Sequence, residues 1–168
     1  MNIKELLKEY INNNLEQEPL KARAFKVEKL IEYDEFLSSE YKQSEISLDE
    51  YLEKEKNESK FQKLLFKYID SKELKDSDVY NRVGIDRRLF SKIRSEENYH
   101  PSKETIILLS LALELNEDEM LSLLNSASYS LPKNNVYDLI IRFCFINNIY
   151  DINEVNNLLY EYNCKTLN

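Results

Sequence analysis

The sequence predicts an all-α protein, and three observations support this fold class. Its 168 residues include one glycine and three prolines, so few positions interrupt a helix. Leu, Glu and Lys are abundant and Trp is absent, a composition that favours helix over sheet. Apolar residues recur three and four positions apart along most of the chain, as they do on one face of an amphipathic helix. With 42% hydrophobic residues, the chain can also bury a packed core.

Residues 1–46 are predicted to form an acidic N-terminal helical extension. The first helix carries apolar residues at helical spacing, namely Ile3, Leu6, Leu7, Tyr10 and Ile11. A second helix should begin near Pro19, because proline suits the first helical position, and run to about Tyr41. The polar stretch at 42–45 is the best candidate for a linker. Residues 1–59 hold 9 basic and 15 acidic side chains, which we interpret as a solvated face that could also meet a partner.

The second predicted domain covers residues 47–168. Ser47 and Glu50 have the spacing of a capping box, which would start a helix. The continuation at 54–60 is nearly all polar and fits either an exposed helix or a loop. Helical spacing then returns in the apolar residues Phe61, Leu64, Leu65, Tyr68 and Ile69.

Two short helices are predicted on either side of the single glycine, Gly84. Asp76 can cap the first helix and Asp86 can cap the second. Glycine is useful just past a helix end, where the backbone turns through positive φ. Two short helices joined by such a tight turn form a helix-turn-helix.

Four more helices are predicted after this pair. The helix over residues 103–115, capped by Ser102, is apolar on almost every side and should be buried all round. Asn116, with Glu119 three positions later, can start the next helix. A connection at 126–135 leads to the last two helices, predicted over 136–146 and from Ile152 to about residue 162.

Residues 60–127 resemble the Cro/repressor-type (XRE-like) helix-turn-helix domains. The resemblance is carried by V-x-x-x-V-G-I around Gly84, L-F-S-x-I at 89–93, P-S-x-E-T at 101–105 and L-N-E-D-E-M-L-x-L-L at 115–124. It implies a lambda-repressor-like core, to which this chain adds the N-terminal extension and two extra C-terminal helices. It also implies a DNA-binding transcriptional regulator of bacterial or phage type. One position departs from the pattern: Tyr80 stands where the family usually has a small residue, because the two helices touch there.

The second helix of the pair is predicted to place an apolar face in the core and a basic face in solvent. At about 100° per residue, Leu89, Phe90 and Ile93 fall on one side of it. The predicted DNA-binding residues lie roughly opposite or on the adjoining helices: Arg87, Arg88, Ser91, Lys92, Ser95, Lys60 and Lys103. Residues 60–103 hold 11 basic and 7 acidic side chains, although the whole chain carries a net charge of −8. This local excess of positive charge is the pattern expected of a segment that meets phosphates.

The alternative is a protein-interaction module that uses the XRE-like fold. Tyr80, the acidic flanks and the pI near 4.9 favour an antitoxin, a phage or anti-defence inhibitor, or an acidic mimic of nucleic acid. A homodimer is expected for the DNA-binding function, because repressor-type domains usually read two half-sites as a dimer. The N-terminal helices or the C-terminal pair of helices would supply the apolar surface for it.

Catalysis, cofactors, metals and membrane insertion are not expected. His100, Cys144 and Cys164 are isolated in the sequence and lack the spacing of metal ligands. A single glycine leaves no room for a Gly-rich phosphate loop. No signal peptide and no apolar run long enough for a bilayer is visible, so we expect a cytoplasmic protein with reduced thiols.

Overall fold

The computed structural model describes residues 2–15, 60–96 and 99–167. The helix predicted from Pro19, the linker at 42–45, the capping box at Ser47 and the domain boundary at residue 46 lie outside the described residues. So does the side chain of Lys60, although its backbone begins a helix.

All regular structure in the described part of the chain is helical, which confirms the predicted all-α class. In chain order the helices are α1 (Ile3–Asn14), α2 (Lys60–Ser71), α3 (Asp76–Arg82), α4 (Arg87–Ser95), α5 (Lys103–Ala112), α6 (Glu117–Ser126), α7 (Val136–Ile146) and α8 (Ile152–Glu161). None of the helices in these ranges is long and apolar enough to cross a lipid bilayer.

Side-chain caps fix where most of these helices begin. Asp86, Ser102 and Asn116 each accept a hydrogen bond from a backbone amide of the first helical turn, as predicted. Asp151 caps α8 in the same way. We expected Asp76 to cap α3, but it does not. It is the first residue of that helix, and its carboxylate instead accepts a hydrogen bond from Arg94.

In the part of the chain that the structure describes, six helix ends turn through the left-handed region, where glycine is normally preferred. Gly84 does so after α3, with φ of 67°. The other five positions, with φ between 48° and 60°, are Glu73, Glu114, Ser128, Asn148 and Asn163. The turn at Glu114 ends α5 at Ala112, three residues before the predicted end at Leu115.

The core is one continuous cluster built around α5 and α7. Residues 106–112 of α5 are buried, as its all-round apolar pattern predicts. In the packing of this unit, α5 contacts α3 and α6, and α7 contacts α1, α6 and α8. Helix α2 packs on α6, and α3 packs on α4.

Helix α1 belongs to this core rather than standing apart from it. Leu7 and Ile11 are buried, and the ring of Tyr10 lies 5.5 Å from that of Phe143 on α7. Lys4 also pairs with Glu161 at the end of α8. The first helix of the chain therefore supports the C-terminal helices.

Candidate nucleic-acid interface

Helix α4 buries one side, as its sequence pattern predicts. Phe90 and Ile93 are buried, but Leu89 is only half-buried, which corrects the expectation that all three lie in the core. At about 100° per residue, Leu89 lies roughly 70° from the centre of the buried face. It therefore marks one edge of that face, and Arg94 marks the other.

The opposite side of α4 is exposed and basic. All five of its predicted DNA-binding residues, Arg87, Arg88, Ser91, Lys92 and Ser95, are exposed. No ion pair joins Arg87, Arg88 or Lys92 to another residue of the described ranges. The Ser95 hydroxyl donates to the carbonyl oxygen of Ser91 at 2.9 Å, so its own oxygen stays available as an acceptor. The structure thus brings together three cations and two hydroxyls on one solvent-facing surface.

An open groove of about 400 Å³ separates α3 from this surface. Lys75, Ser77 and Tyr80 line it from the side of α3, and Arg87 and Ser91 line it from α4. The Tyr80 ring rests against Phe90 with 5.6 Å between ring centroids. A large aromatic side chain therefore occupies the contact between the two helices, and Tyr80 also lines the groove.

Contacts from α2 and α3 hold the C-terminal half of α4. Arg94 pairs with Asp76 at 2.5 Å and lies 4.0 Å above the ring of Phe66. The side-chain amide of Gln62 donates to two carbonyl oxygens at the end of α4. Nothing in the sequence pattern pointed to Gln62, and little to Arg94, because their partners lie 18 to 34 positions away in the chain. The only local signal is the place of Arg94 at the edge of the apolar face.

Lys103, predicted to touch the DNA backbone, is engaged elsewhere. Its ammonium group pairs at 2.6 Å with Asp138, whose side chain is only 3% exposed. The amide of Asn135 donates to the other oxygen of the same carboxylate at 2.7 Å. Lys103 thus neutralises a buried charge between α5 and α7 and is not part of the exposed basic side of α4.

The residues considered for catalysis or metal binding are dispersed. His100 hydrogen bonds to the carbonyl oxygen of Ala127 and packs on Tyr129. Burial raises the pKa of the Cys144 thiol to about 12, so this thiol is protonated at neutral pH. Burial also raises the pKa of Cys164. Within the ranges that the structure covers, no three His, Cys, Asp or Glu side chains form a group that could hold a metal.

Comparison of this chain with protein-family models, with curated proteins and with solved structures finds no match.

Proposed function

We propose that α3, the turn at Gly84 and α4 form a helix-turn-helix of the Cro/repressor type, and that α4 binds in the major groove of double-stranded DNA. One observation carries the proposal: α4 buries its apolar side and presents Arg87, Arg88 and Lys92 outward, without ion-pair partners in the described part of the chain. The major groove is wide enough to admit a helix. The protein would then act as a transcriptional regulator.

The local electrostatics support this assignment despite the acidic chain. Asp76 pairs with Arg94, so these two charges largely offset each other. Asp86 and Glu96 keep their negative charges at the two ends of α4, and the three outward cations still leave the exposed side with a net positive charge. Phosphates attract such a surface, and the release of their counterions supplies much of the affinity.

The positions around α4 suggest different roles for its side chains. Arg88 lies near the centre of the exposed face, where a side chain would point toward base edges, and arginine to guanine is the commonest specific contact. Arg87 lies at the edge of that face and lines the groove against α3, which suits a phosphate contact. Ser91 and Lys92 complete the surface.

The 168-residue chain should retain a subset of duplexes from a pool of random DNA in a gel-shift assay, and the binding should weaken steeply as salt is raised. Arg88→Ala should cost about 1–3 kcal/mol on the selected duplex and relax the preference at one base position. Lys92→Ala should lower the slope of log affinity against log salt by about one if it touches a phosphate. Lys8→Ala, an exposed residue of α1, is the matched control and should leave both quantities unchanged.

Failure to bind any duplex at low salt would contradict this function and favour a protein-interaction module instead. Tyr80 favours that candidate, because it fills the contact between α3 and α4 and changes the surface that would dock on DNA. In that case the basic face would bind an acidic surface of a protein partner. The chain would then act as an antitoxin, a phage or anti-defence inhibitor, or an acidic mimic of nucleic acid. Reversal of charge at Arg87 and Arg88 should then release that partner in a pull-down.

We also propose that the protein acts as a homodimer, because two half-sites on DNA match a two-fold symmetric reader. In the described ranges, the large apolar side chains that remain exposed are Ile146 on α7 and Tyr160 on α8, at 45% and 76%. Sedimentation of the full chain should show a dimer in the micromolar range. A monomer at high micromolar concentration would contradict the proposal and weaken the case for a palindromic operator.

A further inference from the structure

The end of α4 is tied to α2 by one side chain. The last carbonyl groups of a helix have no partners within it, so they need donors from elsewhere. Gln62 on α2 supplies such donors, because its Nε2 donates to the carbonyl oxygens of Ile93 and Glu96, both at 2.7 Å. One side-chain amide therefore donates to two carbonyl groups, three residues apart, at the end of α4.

A second side chain ties the same end of α4 to both α2 and α3. The guanidinium of Arg94 pairs with Asp76 at the start of α3 and lies over the face of Phe66 on α2. A planar guanidinium can donate within its plane and stack with its face at the same time, which a lysine ammonium cannot do. Phe66 in turn meets the buried Phe90 edge to face, with 6.4 Å between ring centroids. These contacts link Arg94 to the core.

We infer that Gln62, Asp76 and Arg94, together with the Phe66 ring under Arg94, form a clasp that fixes the orientation of α4 and so sets how sharply the protein discriminates between DNA sequences. This inference rests on the proposed function. In it, Arg94 is a positioning residue and contacts no DNA, although it is a cation on the DNA-reading helix. Reading base edges requires side chains held within a fraction of an ångström, whereas flexible cations reach phosphates from many positions. Loosening the clasp should therefore weaken binding to the selected duplex more than binding to random DNA.

A variant of Asp76 distinguishes this positioning role from a purely electrostatic effect on DNA binding. Replacing Asp76 by Asn removes a negative charge beside a basic DNA-binding face, and Coulomb attraction alone then predicts tighter binding to every duplex. The clasp predicts weaker binding to the selected duplex, because Arg94 loses its ionic partner on α3. Asp78→Asn is the matched control, since it removes the same charge from an exposed position on the same helix without touching Arg94. Asn keeps a side-chain oxygen that can accept from the backbone amide of Lys75, as the Asp78 carboxylate does.

The test uses the full chain, the duplex that the parent protein selects from a random pool, and an unselected duplex at the same salt. Asp76→Asn, Arg94→Lys and Gln62→Met should each lower the ratio of the two affinities by about threefold to tenfold, a range in keeping with the loss of one partly exposed contact. Asp78→Asn should leave the ratio unchanged. Arg94→Gln should also lower the ratio and should leave the salt slope at the parent value. A slope lower by about one would show that Arg94 touches a phosphate and would overturn the inference.

Hydrogen exchange in the absence of DNA separates the clasp from the proposed function. The amides of Arg94, Ser95 and Glu96 should exchange about threefold to tenfold faster in Gln62→Met and in Arg94→Lys than in the parent, because the end of α4 opens more often. Unchanged exchange together with an unchanged affinity ratio would overturn the inference. If no duplex binds, the proposed function fails. Faster exchange in the two variants would still show that the clasp holds α4 in place. Unchanged exchange would overturn that role as well.

Discussion

Replacing Phe90 by Ala should lower the free energy of unfolding by about 3–5 kcal/mol, the range for deletion of a buried aromatic ring. Phe90 is 2% exposed and lies between the rings of Tyr80 and Phe66, so it joins α4 to both α3 and α2. Its loss would leave a cavity that two aromatic neighbours can fill only in part. Chemical denaturation monitored by far-UV circular dichroism would measure the change.

Leu89→Ala is the control for this prediction. Leu89 is adjacent in sequence but only half-buried, so its truncation should cost clearly less than that of Phe90. If the Phe90→Ala protein were as stable as the parent, α4 would be facing the other way and the DNA-binding surface proposed above would be lost with it.

Lys103→Met should destabilise the protein by about 3 kcal/mol, because removing one partner of a buried ion pair leaves the other charge uncompensated. Methionine keeps much of the length of the lysine stem but removes the ammonium group. Asp138, whose side chain is 3% exposed, would then retain only the amide of Asn135 as a side-chain donor. We place the expected cost at the lower end of the range for such losses, because the Lys103 side chain itself is 25% exposed. Urea denaturation at neutral pH would measure it.

Lys165→Met provides the matched comparison. The Lys165 ammonium lies 3.8 Å from the Glu104 carboxylate, a long contact, and the Lys165 side chain is 78% exposed. Its replacement should therefore change the free energy of unfolding by less than about 0.5 kcal/mol. The double variant Lys103→Met with Asp138→Asn should regain part of the lost stability, because no unpaired carboxylate remains. Equal stability of Lys103→Met and the parent would show that the ion pair does not hold α5 against α7, and would return Lys103 to the candidates for a DNA contact.

The faces of α4 could be predicted because they depend on local spacing alone. Periodicity at about 100° per residue places Phe90 and Ile93 opposite Arg88 and Lys92, whatever the rest of the chain does. The caps at Asp86 and Asn116 are local in the same sense, since each side chain reaches an amide two or three residues away. These features need no knowledge of tertiary packing.

The roles of Lys103, Arg94 and Asp76 could not be predicted because they depend on partners far along the chain. Lys103 meets a carboxylate 35 residues later, and nothing in its own neighbourhood signals that pairing. Asp76 has the sequence context of a helix cap, yet the approach of α4 gives its carboxylate a stronger cationic partner. Helix α1 likewise packs on α7, more than 120 residues away, so the acidic composition of its segment did not reveal that it contributes to the core.

The left-handed turns at the helix ends have a consequence for how this protein tolerates sequence change. Five of those positions carry a residue other than glycine, and all five are exposed. Two carry Asn, which adopts this conformation more readily, whereas Glu73, Glu114 and Ser128 adopt one that costs an ordinary side chain about 1 kcal/mol or more. Such surface sites normally accept almost any residue. Here Val, Ile or Thr would clash with the backbone at Glu73 or Glu114, whereas glycine would relieve the strain. In a family descended from this chain, these solvent-facing positions would therefore vary within a narrow set of amino acids, as buried positions usually do.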